Sequence, residues 1–253
     1  MSLAKKNILH FQVPFSHVSM SGWKKSRYQY IICNSEFTKN HLDPSLKIPT
    51  KIIYPPVANE EFHPGKKENV ILSVGRFNGY YNVKKQDVLI DVFINLLKTK
   101  ELVGWKLVLA GGMLPTDKEY VEKLKKLGEN YSIEIIPNAS FEIIQAAYAK
   151  ARLYWHGAGF EETNPEYMEH FGISTVEAMA SGCIPVVFAG GGQTEIVTDA
   201  VDGYTWTTKK ELGDKTMRAI KEGSALNSKL IQRSKDFSKN IFNQAFDNLF
   251  SFL

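Results

Sequence analysis

The stretch from Glu166 to Gly182, EYMEHFGISTVEAMASG, decides how the rest of the chain is arranged. It sets two carboxylates, Glu169 and Glu177, on either side of a loop-to-helix junction at His170-Phe171-Gly172. Glycine at 172 lets the backbone turn tightly and lets a ligand approach closely. Every residue from Ile173 to Ala180 tolerates a helix, and Ser181-Gly182 closes it. The N–H groups of Gly172, Ile173, Ser174 and Thr175 therefore face out of a helix N-terminus, a natural seat for a phosphate or diphosphate. Glu177 lies one turn further in, too deep to cap the helix. Among Val176, Ala178 and Met179 an unpartnered carboxylate would be costly. Beside a bound nucleotide the same group could accept hydrogen bonds from a ribose diol, as the acidic residue of dinucleotide folds does. Glu169 precedes the helix, on the side where the group attached to the diphosphate would lie.

Outward from this stretch, apolar runs and amphipathic segments alternate from Asn69 onward, which predicts a parallel sheet with helices on both faces. Strands are expected at Asn69–Val74, Trp105–Ala110, Ile133–Ile136, Arg152–His156 and Ile184–Phe188. Helices are expected at Asp87–Lys98, Thr116–Gly128, Phe141–Lys150 and Gln193–Val197, and a helical pattern after Gly203 to the end. In such sheets ligands bind beyond the carboxyl ends of the strands. Arg76, Gly111, Asn138, Gly157, Glu169 and Gly191 should then converge on one edge.

EHFGISTVEAMASG, followed by CIPVV and GGGQTEIV and preceded by SVGRF, KKQDVLIDVF and KLVLAGG, resembles the nucleotide-sugar-binding half of a retaining family-4 glycosyltransferase with the GT-B fold. The resemblance covers roughly residues 30 to 237. It implies an α/β, Rossmann-like donor domain over 63–237. Residues 1–62 would be a remnant of an N-terminal acceptor domain plus the linker TKIIYPPV, which Pro55-Pro56 keeps extended. Residues 238–253 would form a helix crossing back to that first domain, with Phe242, Phe246, Leu249, Phe250 and Leu253 as its apolar stripe. The implied reaction moves a hexose, mannose or glucose, from a UDP- or GDP-sugar to a carbohydrate or lipid-linked acceptor hydroxyl, with retention and without a bound metal. A chain of this extent is expected to bind donor without transferring it.

The resemblance also assigns roles. Arg76 and Lys84 would neutralise the leaving diphosphate, and Glu169, the first glutamate of E-x7-E, would hold donor-sugar hydroxyls near the reacting carbon. Catalysis would rest on those three. Gly75, Asn138, His156, Gly172, Ile173, Ser174, Thr175, Glu177, Gly191 and Gly192 would bind the nucleotide. From the residues alone, several alternatives stay open. Asn78–Val83 lengthens the loop before the lysines, so either Lys84 or Lys85 could face the site. Glu161, Glu162 and Glu166 compete with Glu169. His156 could equally be a structural histidine, and the glycines at 190–192 a simple turn.

Composition bounds the other classes. A charge of +4 suits anionic ligands or peripheral contact with a membrane surface, with no call for nucleic acid. No apolar run approaches a membrane span, and MSLAKKNILHFQVPF makes a poor signal peptide, so a cytoplasmic protein is expected, at the inner face of the membrane where it is peripheral. Met1-Ser2-Leu3 has the look of an appended scar. Cys33 and Cys183 sit in apolar strands as buried thiols. The absence of G-x-x-x-x-G-K-[ST] excludes a P-loop NTPase, and the absence of Asp-x-Asp disfavours a metal-dependent GT-A transferase. The remaining alternatives are a nucleotide-sugar epimerase or sugar-phosphate synthase on the same scaffold, and a non-catalytic nucleotide-sugar-binding module.

Overall fold

The computed structural model describes residues 7–81 and 83–251. Residues 1–3, Asn82 and Leu253, each named above, lie outside the described residues. Two parallel sheets are present. The first contains β1 (Ile8–Phe11), β2 (Tyr30–Cys33) and β3 (Thr50–Ile52), in that order, with the short helices α1 (Gly22–Lys25) and α2 (Glu36–Asn40) in the connections. The second contains β4 (Glu68–Val74), β5 (Lys106–Gly111), β6 (Ile133–Pro137), β7 (Ala151–His156), β8 (Ile184–Phe188) and β9 (Tyr204–Trp206). Its helices are α3 (Gln86–Lys98), α4 (Lys118–Gly128), α5 (Phe141–Lys150), α6 (Ile173–Ala180), α7 (Gln193–Ile196), α8 (Lys209–Glu222), α9 (Asn227–Ser234) and α10 (Lys239–Ser251).

A strand covered on both faces must be apolar on both, and β4 is. Ile71 enters one core with Leu89, Phe93 and Trp155, while its neighbour Leu72 enters another with Val108, Tyr148 and Tyr154. The second sheet runs β6-β5-β4-β7-β8-β9. The chain thus steps outward from β4 to β6 on one side, then returns to the other side of β4 and steps outward again. Connections leaving β4 and β7 diverge, and a crevice opens between them at the carboxyl ends of the two strands.

Two expectations are corrected. The segment after Gly203 is not helical throughout, because Tyr204–Trp206 pairs with Val186–Phe188 as an edge strand. Thr50–Ile52, expected as linker, instead pairs with β2 before Pro55-Pro56 ends the run. The apolar stripe of α10 does find a surface: Phe242, Phe246 and Leu249 pack with Ile8, Tyr30 and Ile32 of the first sheet and with Ile53 just after β3.

The two sheets are also joined by one carboxylate. Glu195 of α7 accepts hydrogen bonds from the Glu36 and Phe37 N–H groups at the start of α2, both at 2.8 Å, and from the Tyr54 hydroxyl at 3.1 Å. These are N–H groups that a helix cannot bond internally, and a negative charge there is favourable. Glu195→Ala should therefore lower stability by about 1–3 kcal/mol, read from denaturant unfolding; an unchanged midpoint would mean that the contact contributes nothing to the fold.

Candidate nucleotide-sugar site

A cleft of about 660 Å³ lies at the carboxyl end of β4, between it and the first sheet. Gln12, Asn34 and Pro55-Pro56 wall it from the side of the first sheet, and Gly75, Arg76 and Lys84 from the loop after β4. Its floor is the segment from Glu169 to Ser174, with Glu177 behind. Gly172 has φ 122°, and a Cβ there would sit 2.7 Å from Gln193 Nε2, so only glycine fits this junction.

Glu169 is the electrostatic centre. One of its oxygens lies 2.5 Å from Lys84 Nζ and 2.9 Å from His156 Nε2. Burial pushes its carboxyl towards protonation, but the Lys84 ammonium and the His156 imidazole more than offset this and hold it well below the usual carboxylate range. His156 is 2% exposed, and burial keeps its ring neutral by lowering its pKa. Nε2 faces the Glu169 oxygen, and Nδ1 is buried with no hydrogen-bond partner among the described residues.

Glu177 has the opposite balance. Burial raises its pKa, and the Tyr148 hydroxyl at 3.1 Å only partly compensates. The Tyr148 hydroxyl also lies 3.0 Å from the Ser174 carbonyl, and Tyr154 donates to Ser174 Oγ at 2.8 Å. Two buried tyrosines thus hold the first turn of α6 from below. Neither was singled out in the sequence, because each sits in an ordinary apolar run.

The lysine ambiguity resolves geometrically. Lys84 lines the cleft, whereas Lys85, with φ 53° at the start of α3, turns to Glu162 at 2.6 Å. Arg76 stands exposed at the cleft mouth, its carbonyl accepting from Gln86 Nε2 at 3.1 Å. Other expected contacts are displaced into supporting positions. The Thr175 N–H donates to the Gly172 carbonyl at 3.0 Å and its hydroxyl to Gln193 at 2.9 Å, so this buried residue braces the turn and presents nothing to the cleft. Gly191 and Gly192 pack on the 169–170 backbone. The Gly192 N–H donates to the Glu169 carbonyl at 2.7 Å, and a Cβ on Gly191 would meet that oxygen at 2.2 Å. Asn138 ties the loops after β5 and β6 together, accepting from the Met113 N–H at 2.9 Å. Gly75, Gly172, Ile173, Ser174 and Glu177 line the cleft.

With the site in view, likeness to known proteins decides the family. The family model for glycosyl transferases group 1 matches residues 58–237. The chain belongs to that family. It is 30% identical over 210 residues to the Xenopus laevis GDP-Man:Man(3)GlcNAc(2)-PP-Dol alpha-1,2-mannosyltransferase, covering 72% of this chain and 41% of that one. It is 31% identical over 179 residues to the Homo sapiens enzyme of the same name, covering 64% and 34%. The chain therefore spans well under half the length of these curated relatives. Among solved structures, Anabaena HepE in complex with UDP matches with a TM-score of 0.78 at 20% identity, over 97% of this chain and 72% of that one. The sucrose-phosphate synthase of Thermosynechococcus elongatus matches at 0.71 and 18%, over 91% and 61%. At these identities the likeness is one of fold, the Rossmann-like half of a GT-B glycosyltransferase.

The Lys84–Glu169 pair gives a prediction with a definite sign. A carboxyl held below its unfolded value stabilises the fold above that value and loses its contribution as the pH falls. Lys84→Met should cost about 1–3 kcal/mol at neutral pH, and the gap from wild type should close as the pH drops below about 4.5. Denaturant unfolding across that range checks this; a gap that stays constant would mean that Glu169 does not depend on Lys84 for its charge.

Proposed function

We propose that this chain forms the donor-binding half of a retaining hexosyltransferase, with a GDP-hexose as its nucleotide sugar and a lipid-linked glycan as acceptor. The observation that carries the reading is Glu169 paired with Lys84 beside the first turn of α6, with Glu177 one turn further along. In this reading the diphosphate sits against the N–H groups of Gly172, Ile173 and Ser174, where the helix start favours negative charge. Glu177 accepts from the ribose diol. Glu169 accepts from hydroxyls of the donor hexose, and His156, buried against it, holds that carboxylate in place.

When the bond from the sugar to the diphosphate breaks, negative charge grows on the leaving oxygen and the sugar becomes oxocarbenium-like. Arg76 and Lys84 are fixed cations on that side, and such groups stabilise the transition state more than the ground state. Lys84 need not travel far, since its ion pair already holds it over the α6 junction. The base and sugar are chosen on the names of the relatives, which specify GDP-Man, over the UDP of the cyanobacterial neighbour. The domain division follows the same reading: 63–237 hold the donor, 1–62 belong to the acceptor side, and 238–253 cross back to it.

The decisive variant is Glu177→Gln. It should weaken GDP binding by about 1–3 kcal/mol, the scale of one charged hydrogen bond, as measured by calorimetry. A raised carboxyl pKa means that ionisation opposes folding at neutral pH, so the same variant should melt no lower than wild type. Unchanged affinity in that well-folded protein would remove Glu177 from the site.

A second expectation concerns metal. With Arg76, Lys84 and the α6 N-terminus supplying positive charge, GDP affinity should survive EDTA. A large loss restored by manganese or magnesium would overturn the charge assignment. Comparing melting shifts with GDP-mannose, UDP-glucose and the free diphosphates tests the choice of donor, because only a ligand of the folded state raises the transition.

A further inference from the structure

The first 35 residues contain Lys5, Lys6, Lys24, Lys25 and Arg27 and no Asp or Glu; the first acidic residue is Glu36. This one-signed stretch also holds an exposed tryptophan. Trp23, in α1, is 59% exposed, whereas the other three tryptophans, Trp105, Trp155 and Trp206, are at most 6% exposed. Phe15, in the loop leading to α1, is 41% exposed.

The turn that presents them is held in place. The Lys25 ammonium binds the Ser45 carbonyl, the Phe15 carbonyl accepts from the Asp43 N–H at 2.9 Å, and the Phe15 ring meets Phe11 edge-on at 5.6 Å between centroids. The Arg27 guanidinium lies over the Trp23 ring, 5.4 Å from its centroid. Asp43 is the acidic group facing this turn, and its carboxylate accepts from the Ser45 N–H at 2.8 Å. More than half of the large Trp23 ring stays in water, with a guanidinium against it. This arrangement matches the chemistry of a lipid interface, where an indole lies at headgroup level and flanking lysines and arginines meet anionic lipid.

We propose that α1 and the loop before it form a docking surface for an anionic bilayer, with Trp23 and Phe15 entering the headgroup region and Lys24 and Arg27 facing lipid phosphates. The proposal deepens the reading above and rests on it in one respect: a lipid-linked acceptor is met at a bilayer surface. Its location suits that use. β1 ends at Phe11, the next residue, Gln12, lines the donor cleft, and Phe15 follows three positions later. The bilayer would thus lie beside the mouth of the cleft, where an acceptor headgroup held in lipid reaches the donor while its chains stay in the membrane.

The test uses the purified chain with vesicles of phosphatidylcholine alone and of phosphatidylcholine with about a quarter phosphatidylglycerol. Because Trp23 is the exposed tryptophan, a blue shift of the emission and its quenching by brominated lipid report on this site. Anionic vesicles should sediment the chain and shift its emission, neutral ones should not, and raised salt should release it. Trp23→Ser and Lys24→Glu should each weaken vesicle binding about tenfold with GDP affinity unchanged.

The proposal is overturned if the chain stays in the supernatant, or if Trp23→Ser binds vesicles as wild type does. It is also overturned if light scattering shows a dimer that Trp23→Ser dissolves while no vesicle binding is seen, which would make a second copy the occupant. Failure to bind GDP in the same samples would count against the donor-site reading and leave the vesicle result standing.

Discussion

The site exists because of a constraint on parallel sheets. Once β4 is laid down and the chain has built outward through β5 and β6, the only free edge beside β4 is on its other side, and β7 must take it. The connections leaving β4 and β7 then run in opposite directions, and the carboxyl ends of these two central strands stay uncovered. Glu169 and Lys84 reach that opening from the two separate loops and meet there. Burying an unpaired carboxylate at this depth would be costly. The ion pair is therefore both a condition of the fold and the feature that makes the crevice chemically specific.

Much of the supporting structure keeps this carboxylate where it is. The 190–192 turn lies so close to the 169–170 backbone that Cβ atoms cannot be accommodated between them, and Gln193 reaches across to Thr175. Two residues further along the same segment, Glu195 caps α2 of the first sheet. A single short stretch, Gly192 to Glu195, is thus bonded to the Glu169–His170 loop, to the first turn of α6 and to the neighbouring sheet. The stacking of Tyr54 on Phe171, 5.6 Å between centroids, follows the same line. The relative placement of the two sheets and the geometry of the acidic loop are not independent variables in this molecule.

The sequence made the second sheet and the α6 junction legible because both rest on local signals: apolar runs ending in glycine, and a glycine followed by eight helix-compatible residues. It failed where pairing partners decide. Tyr204-Thr205-Trp206 is too short to show a period, and its strand identity comes from the neighbouring β8. Thr50–Ile52 lies against two prolines and looked like a linker until β2 supplied an edge for it. At the site, Lys84 and Lys85 are chemically alike, and only the left-handed backbone at Lys85 sends them to different carboxylates. Thr175, Gly191, Gly192 and Asn138 sit at the expected edge but face inward, as braces. Tyr148 and Tyr154 were invisible for the converse reason: their hydroxyls matter through contacts with residues more than twenty positions away or at that distance along the chain.

One of those hydroxyls sets a limit on the resting state of the cleft. Burial holds the Tyr148 phenol far above its ordinary pKa, so it keeps its single proton at neutral pH. Two oxygens, the Ser174 carbonyl and a Glu177 carboxylate oxygen, stand at nearly equal distances from it. When Glu177 is ionised, one proton is divided between two acceptors; the Ser174 carbonyl lies inside α6, where the helix ladder supplies a donor of its own, so the shortfall falls on the carboxylate. When Glu177 is protonated, it supplies the missing hydrogen itself and both contacts close. An ionised Glu177 thus leaves the cleft short of one hydrogen-bond donor, and the count can be balanced by a proton from solvent or by a hydroxyl brought in from outside.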